Sequence, residues 1–146
     1  MTVEASLIKK FDHVGFAVRD VDSALRVYRD ILGGKVSIYK QMGTKDEYTF
    51  TQFELGGQRF ELIEPIEGID SFLTRFIEKR GEGMHHLTFQ VYSLKKAIEH
   101  FQSRGLRIVD EFKEDPAWQV AFISPRSSSG VLIQLYETYP GSPYDH

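Results

Sequence analysis

Two histidines and two oxygen-bearing side chains recur in this chain at one spacing. His13 and His86 are 73 positions apart (86 minus 13), and Glu61 and Gln134 are separated by the same number (134 minus 61). Each half of the chain therefore supplies one imidazole near its start and one oxygen donor near its end. Two imidazole nitrogens, a carboxylate oxygen and an amide oxygen form a mixed set that suits a divalent metal of intermediate hardness. The spacing predicts that two similar units hold one metal ion.

The same register relates apolar and glycine positions of the two halves. It places Phe16 over Phe89, Val18 over Val91, Ala24 over Ala97, Val36 over Val109, Gly57 over Gly130, Leu62 over Leu135 and Glu64 over Glu137. A gapless repeat of this length predicts two copies of one supersecondary unit. It also selects between neighbouring histidines. His86 takes the register of His13, whereas His85 takes that of Asp12 and should point to the opposite face of its strand.

Hydrophobic periodicity gives each half the element order βαβββ. In the first half, Asp20, Asp22 or Ser23 can cap a helix that Gly33-Gly34 ends, and its apolar stripe comprises Ala24, Leu25, Tyr28, Ile31 and Leu32. The predicted strands of this half are 11–18, 35–40, 48–55 and 59–65. The second half repeats the plan, with a helix at 94–104 and strands at 84–91, 107–112, 120–123 and 131–136.

These elements predict an α+β fold of two tandem modules forming a metal-holding curved sheet. Ser71 can cap a short helix between the modules, and this helix precedes the glycine-rich segment 81–83. The predicted organisation is an N-terminal extension at 1–10, a first βαβββ module at 11–66, a linker helix within 67–83, a second module at 84–137 and a C-terminal tail at 138–146.

Composition limits the classes of partner. The 146 residues carry a formal net charge of −3 and include 41% hydrophobic residues and no cysteine. A packed soluble domain is expected, with no basic footprint for nucleic acid and no apolar stretch long enough for a membrane. The absence of cysteine excludes disulfides and thiolate chemistry. We therefore expect a cytoplasmic protein whose partner is a small molecule.

Four stretches carry a resemblance to a known family: Phe11-Asp12-His13-Val14-Gly15-Phe16-Ala17-Val18, Phe60-Glu61-Leu62-Ile63-Glu64-Pro65, the segment 76–87 from Phe76 to Leu87, and Gly130-Val131-Leu132-Ile133-Gln134-Leu135. They resemble the vicinal oxygen chelate superfamily (glyoxalase, bleomycin-resistance and dioxygenase proteins), and within it the methylmalonyl-CoA epimerases. The resemblance runs from Phe11 to Glu137. It implies a glyoxalase-like fold and assigns the four metal-ligand positions to His13, Glu61, His86 and Gln134.

The resemblance also implies a reaction, namely epimerisation of methylmalonyl-CoA or a related acyl-CoA through a metal-stabilised enolate. The epimerases usually carry glutamate at the position of Gln134, and an amide cannot accept a proton at neutral pH. A second family carboxylate falls on Lys45, whose acidic neighbours are Asp46 and Glu47. We therefore expect Glu61 to act as the base, with Glu47 or Asp46 as its acid/base partner.

Other functions of the superfamily compete with this interpretation. A glyoxalase I-type lactoylglutathione lyase uses the same enolate chemistry, and a non-catalytic module could bind a small ligand without turnover. Ring-cleaving dioxygenases rank last, because their glutamate ligand falls on Gln134. The ligand set is compatible with cobalt, manganese, nickel, zinc or iron. A homodimer is expected, because modules of this type commonly pair.

Overall fold

The computed structural model describes residues 6–145 and has the predicted mixed α+β fold. Residues 1–5 of the predicted extension and residue 146 of the predicted tail lie outside the described part. The eight strands are β1 Ile8–Ala17, β2 Lys35–Met42, β3 Tyr48–Leu55, β4 Gln58–Pro65, β5 Gly83–Val91, β6 Ile108–Asp115, β7 Trp118–Ile123 and β8 Leu132–Glu137. The α-helices are α1 Val21–Leu25, α2 Phe72–Arg80 and α3 Leu94–Ser103. The strands form one sheet in the order β2-β3-β4-β1-β5-β8-β7-β6.

The chain divides into two compact units. The first unit is His13–His85, and the second unit contains the remaining described residues. In the first unit, β4 pairs in parallel with β1 and antiparallel with β3. In the second unit, β8 likewise pairs in parallel with β5 and antiparallel with β7. Each unit therefore has a central strand that carries one of the predicted oxygen ligands, Glu61 or Gln134.

A two-residue turn fixes the register of the β3–β4 hairpin. Gly56 and Gly57 have φ of 61° and 80°, and Leu55 pairs with Gln58 on either side of them. Two successive positive φ values fit a tight turn whose twist matches that of the strands. Gln52 is consequently the partner of Glu61. Because side chains on paired positions point to the same face of a sheet, Gln52 and Glu61 lie side by side.

The first helix differs from the prediction. It is α-helical only from Val21 to Leu25 and continues as a π-helix over Arg26–Ile31, where the Leu32 N–H donates to the Val27 carbonyl at 2.9 Å. Ile31 and Leu32, which were predicted in the apolar stripe, are exposed by 67% and 53%. This part of the predicted stripe is wrong because the wider π turn rotates these side chains out of register with the sheet.

An extra residue explains the π turn. Helix α3 reaches its terminating glycine, Gly105, eleven positions after Leu94, whereas the first helix reaches Gly33 twelve positions after Val21. The two glycines have nearly equal φ values, 89° and 87°. A one-residue insertion in a helix with fixed ends is commonly absorbed as a π-bulge.

The helix starts of the two units are held alike. Glu64 on β4 accepts a hydrogen bond from the Val21 N–H at 2.7 Å, and Glu137 on β8 accepts one from the Leu94 N–H at 2.8 Å. A carboxylate at this end satisfies a free N–H group and complements the helix dipole. These glutamates are 73 positions apart, as are Val21 and Leu94, so the internal repeat extends to the capping contacts.

Apolar clusters bury the sheet against α1 in the first unit and against α3 in the second. The first unit contains the buried cluster Val18, Val21, Leu25, Phe53 and Leu62, and the second unit contains Val91, Leu94, Ala97, Ile98, Ala121, Ile123 and Leu135. Helix α2 begins at Ser71, whose side chain and that of Thr74 form the reciprocal capping box. The predicted linker helix and its cap are therefore present. Among the described residues, no helix has the length and apolar character needed to span a bilayer.

Strand limits in the second unit extend beyond the predicted ones. Strand β7 begins at Trp118 instead of residue 120, and β6 continues to Asp115 instead of residue 112. The β6 strand contains a bulge between Val109 and Phe112, with Asp110 at φ 52°. A bulge interrupts the alternation of side chains, so periodicity alone cannot follow a strand through it.

Candidate metal centre

Strands β1 and β4 bring the first predicted ligand pair together. Gly15 pairs with Glu61 in a parallel ladder, and His13 lies two positions before Gly15 on the same face. The His13 Nε2 and Glu61 Oε2 atoms are 3.6 Å apart, and the two side chains are only 4% and 12% exposed. This separation is too long for a good hydrogen bond. It falls within the roughly 3 to 4 Å expected between two atoms that ligate one ion at about 2.0–2.2 Å.

Gln52 orients the Glu61 carboxylate. Its Nε2 donates a hydrogen bond to Glu61 Oε2 at 2.9 Å, and Gln52 itself is 8% exposed. Such a bond restricts the rotation of the carboxylate. Sequence analysis missed this residue, although the Gly56-Gly57 turn contained the signal, because a two-residue turn places Gln52 opposite Glu61.

Three potential ligands form one group. The ligand atoms of His13, Glu61 and His86 all lie within 4.8 Å of one another. His13 and His86 are buried, with 3% and 5% of their surface exposed. The neighbouring His85 is not part of this group and instead contacts the ring of Phe76, with 4.8 Å between ring centroids.

Gln134 occupies the position equivalent to Glu61 on strand β8. It pairs with Thr88 on β5, just as Glu61 pairs with Gly15 on β1. The Thr88 hydroxyl donates a hydrogen bond to Gln134 Oε1 at 2.8 Å, and Thr88 is fully buried. Sequence analysis missed Thr88. The role of Gln134 as a metal ligand remains a prediction.

The residues predicted as acid/base partners lie at the turn before β3. Lys45 and Asp46 are exposed and have positive φ values of 61° and 56°, and Glu47 is half-buried immediately after them. Neither Asp46 nor Glu47 belongs to the ligand group of His13, Glu61 and His86. Their catalytic roles remain predictions.

The pKa of Tyr48 on β3 is affected by the charge of Glu61. Burial raises the pKa of Tyr48 above its usual value, and the negative charge of Glu61 raises this pKa further. Hydrogen bonding with Thr44 acts in the opposite direction and lowers this pKa. Tyr48 therefore retains its proton at neutral pH. Sequence analysis did not select it.

The donor set fits a divalent cation. Two imidazoles and a carboxylate are the ligands that zinc, cobalt, nickel, manganese and iron accept in proteins. The two histidines are buried close to an acidic side chain, and one cation could bind all three groups. Three protein ligands, or four if Gln134 binds, leave open positions on a metal of higher coordination number, as a catalytic site requires.

Comparisons with known proteins agree with this fold. A family model described as the Glyoxalase/Bleomycin resistance protein/Dioxygenase superfamily matches residues 12–122. The uncharacterized protein YqjC of Bacillus subtilis is 31% identical over 132 residues, which are 89% of this chain and 93% of YqjC. The mitochondrial methylmalonyl-CoA epimerase of Mus musculus is 32% identical over 129 residues, which are 86% of this chain and 71% of the mouse protein.

The backbone fold of this chain is also similar to that of a solved structure. Methylmalonyl-CoA epimerase from Mycobacterium tuberculosis superposes with a TM-score of 0.80 at 28% sequence identity, covering 95% of this chain and 94% of the other. Family match, sequence identity and backbone thus point to the same group. The chain belongs to the Glyoxalase/Bleomycin resistance protein/Dioxygenase superfamily, and methylmalonyl-CoA epimerases are among its homologues.

Proposed function

We propose that this protein is a metal-dependent epimerase of methylmalonyl-CoA or a related acyl-CoA. The observation that carries the proposal is the group of His13, Glu61 and His86, whose ligand atoms lie within 4.8 Å of one another in a homologue of methylmalonyl-CoA epimerases. Gln134 is the proposed fourth ligand. The expected cytoplasmic location and homodimer belong to this proposal, and light scattering on the purified protein tests the dimer.

In the proposed reaction, the α-carbon of methylmalonyl-CoA, which lies between two carbonyl groups, loses a proton from one face and regains a proton on the opposite face. A divalent metal bound by these residues would supply Lewis acidity that stabilises the resulting enolate. The protein must then provide two proton-transferring groups, one for each face of the carbon. Gln134 cannot be one of them, because an amide accepts no proton at neutral pH.

Glu61 is the proposed base for one face. Its carboxylate is partly buried, and the hydrogen bond from Gln52 fixes one of its oxygens. A carboxylate oriented in this way is suited to accept the proton. For the opposite face we assign Glu47 in preference to Asp46, because Glu47 is half-buried and its charge reaches Tyr48, whereas Asp46 is exposed.

Incorporation of solvent deuterium at the α-carbon tests these roles directly. Purified protein is analysed for bound metals and incubated with methylmalonyl-CoA in D2O, alongside Glu61→Gln, Glu47→Gln and Asp46→Asn variants. The wild-type protein is expected to contain a stoichiometric divalent metal and to exchange deuterium. The Glu61→Gln and Glu47→Gln variants should each lose about 100-fold or more of the exchange rate, within the usual range for a general base.

The exposed Glu67 provides a matched control, since Glu67→Gln makes the same chemical change outside the ligand group. Its exchange rate should equal that of the wild-type protein. Full exchange by both Glu61→Gln and Glu47→Gln would reject the two base assignments. Failure of the metal-loaded wild-type protein to exchange deuterium would reject the epimerase function.

A further inference from the structure

Arg59 is the direct neighbour of His13 in the sheet. The two residues pair in the parallel ladder of β1 and β4, and Arg59 lies two positions before Glu61 on β4. Because side chains alternate along a strand, Arg59 projects from the face that carries both potential metal ligands. Sequence analysis did not select Arg59, since only the register of the two strands places it beside His13.

The internal repeat shows that the charge of Arg59 is specific to the first unit. The residue 73 positions after Arg59 is Leu132, which pairs with His86 in the second unit as Arg59 pairs with His13 in the first. The fold therefore accepts an apolar side chain beside a ligand histidine. A guanidinium carries a permanent positive charge, and beside a group of residues suited to a cation it is unfavourable unless an anion binds nearby.

The ion pair of Arg59 with Glu54 is a weak one. Arg59 Nη2 lies 4.0 Å from Glu54 Oε1, and the side chain of Glu54 is 62% exposed whereas that of Arg59 is 19% exposed. A pair at this distance with an exposed partner contributes little to stability. A ligand carboxylate that approaches the guanidinium more closely forms the stronger contact, because it can accept two parallel N–H bonds.

We propose that Arg59 binds the free carboxylate of the substrate's acyl group and thereby selects acyl-CoA compounds that carry this second acid group. This inference rests on the proposed function. The position beside His13 favours this carboxylate over the phosphates of CoA, because the acyl group is the part of the substrate that must reach the metal ligands. The planar guanidinium also fixes the plane of a carboxylate that it binds through two N–H groups.

The test uses calorimetry to measure the Kd of racemic methylmalonyl-CoA and of propionyl-CoA, which lacks the free carboxylate. The wild-type protein is compared with Arg59→Gln, Arg59→Lys and Glu54→Gln. Arg75→Gln is the matched control, because Arg75 also pairs with an exposed carboxylate, at 3.1 Å between Arg75 Nη1 and Asp70 Oδ1, but lies on α2. Metal content and Tm are measured on every protein.

Arg59→Gln is expected to raise the Kd of methylmalonyl-CoA about 10- to 100-fold, as loss of a hydrogen bond between charged groups predicts, and to change the Kd of propionyl-CoA by less than about twofold. Arg59→Lys keeps the charge but not the planar fork, so its Kd should rise by a smaller factor. Glu54→Gln should raise neither Kd, whereas a merely structural role of the ion pair predicts the same effect for both partners. Arg75→Gln should match the wild-type protein in every measurement, and all variants should retain the wild-type metal content.

The outcomes separate this inference from the proposed function. If the wild-type protein exchanges deuterium and Arg59→Gln either retains the wild-type Kd of methylmalonyl-CoA or weakens both compounds equally, the carboxylate contact is rejected and the epimerase function stands. If the wild-type protein prefers methylmalonyl-CoA to propionyl-CoA without exchanging deuterium, and Arg59→Gln removes this preference, the epimerase function is rejected and the contact stands. If the wild-type protein binds neither compound, both are rejected.

Discussion

Glu61 and Gln134 occupy equivalent positions in the two units but have different neighbours. Glu61 lies between Gly15 and Gln52 on the flanking strands, whereas Gln134 lies between Thr88 and Phe122. The Glu61 carboxylate thus accepts a hydrogen bond from the amide N–H of Gln52, and the amide oxygen of Gln134 accepts one from the hydroxyl of Thr88.

The contacts at the two helix starts, by contrast, are alike in the two units. Glu64 and Glu137 hold the first N–H groups of their helices at nearly equal distances, 2.7 and 2.8 Å. The capping residues Asp20 and Ser93 differ in type, but each accepts hydrogen bonds in the first turn of its helix. The scaffold contacts of the repeat are therefore equivalent, whereas the contacts around positions 61 and 134 have diverged.

Exchanging the residue types at positions 61 and 134 should have the largest effect. Glu61→Gln removes the carboxylate of the ligand group, and we expect metal affinity to fall by more than about 100-fold, because loss of an outer-shell partner already costs 10–100-fold. Gln134→Glu adds a charge and should raise metal affinity if this residue is a ligand. Titration of the metal-free protein with Co2+ measures both. Unchanged affinity in Gln134→Glu would remove Gln134 from the ligand set.

The close approach at Gly34 is specific to the first unit. The Gly34 N–H donates to the Tyr28 carbonyl, and an added Cβ would lie 2.6 Å from this oxygen and 3.0 Å from the Phe53 ring. Gly34→Ala should therefore lower the free energy of unfolding by about 1–3 kcal/mol. Urea denaturation measures the loss. Leu106 follows Gly105 in the second unit as Gly34 follows Gly33, so a side chain is accepted there. Equal stability of Gly34→Ala and wild type would show that the carbonyl moves aside.

Removing the capping carboxylates tests the equivalence of the helix starts. Glu64→Gln and Glu137→Gln should each lower the free energy of unfolding by about 1 kcal/mol, because each weakens a hydrogen bond at a positive helix end. Glu64 also lies 3.8 Å from Lys40 Nζ in a partly exposed ion pair, which adds little. Thermal unfolding measures both variants. A loss confined to one unit would contradict the structural equivalence.

Deleting one residue of the π-helix should have the smallest effect. Removal of the exposed Ile31 gives the first helix the same number of residues as α3 and permits a regular α-helix. We expect the free energy of unfolding to change by less than about 1 kcal/mol, within the range of exposed sites. Deletion of the exposed Gln102 in α3, which has no extra residue to lose, serves as control and should lower Tm much more. A larger loss of unfolding free energy for the Ile31 deletion would show that the π turn itself stabilises the fold.

Local patterns were sufficient for much of the fold. The strand β3 lies at the predicted limits, and helix α2 begins at the predicted cap Ser71. Both depend on neighbours in sequence, since alternation and a capping side chain act within a few residues. The π turn was missed because helical periodicity assumes 3.6 residues per turn, whereas the positions of Val21 and Gly33 are set by the sheet.

Residue types and their spacing along the chain were enough to predict the repeat, the α+β class, the superfamily and the members of the His13, Glu61 and His86 group. The Gly56-Gly57 turn pairs Gln52 with Glu61, but the hydrogen bonds from Gln52 to Glu61 and from Thr88 to Gln134 are visible only in the folded chain. These neighbours come from different strands, and their contacts depend on hairpin and parallel register, which long-range packing fixes.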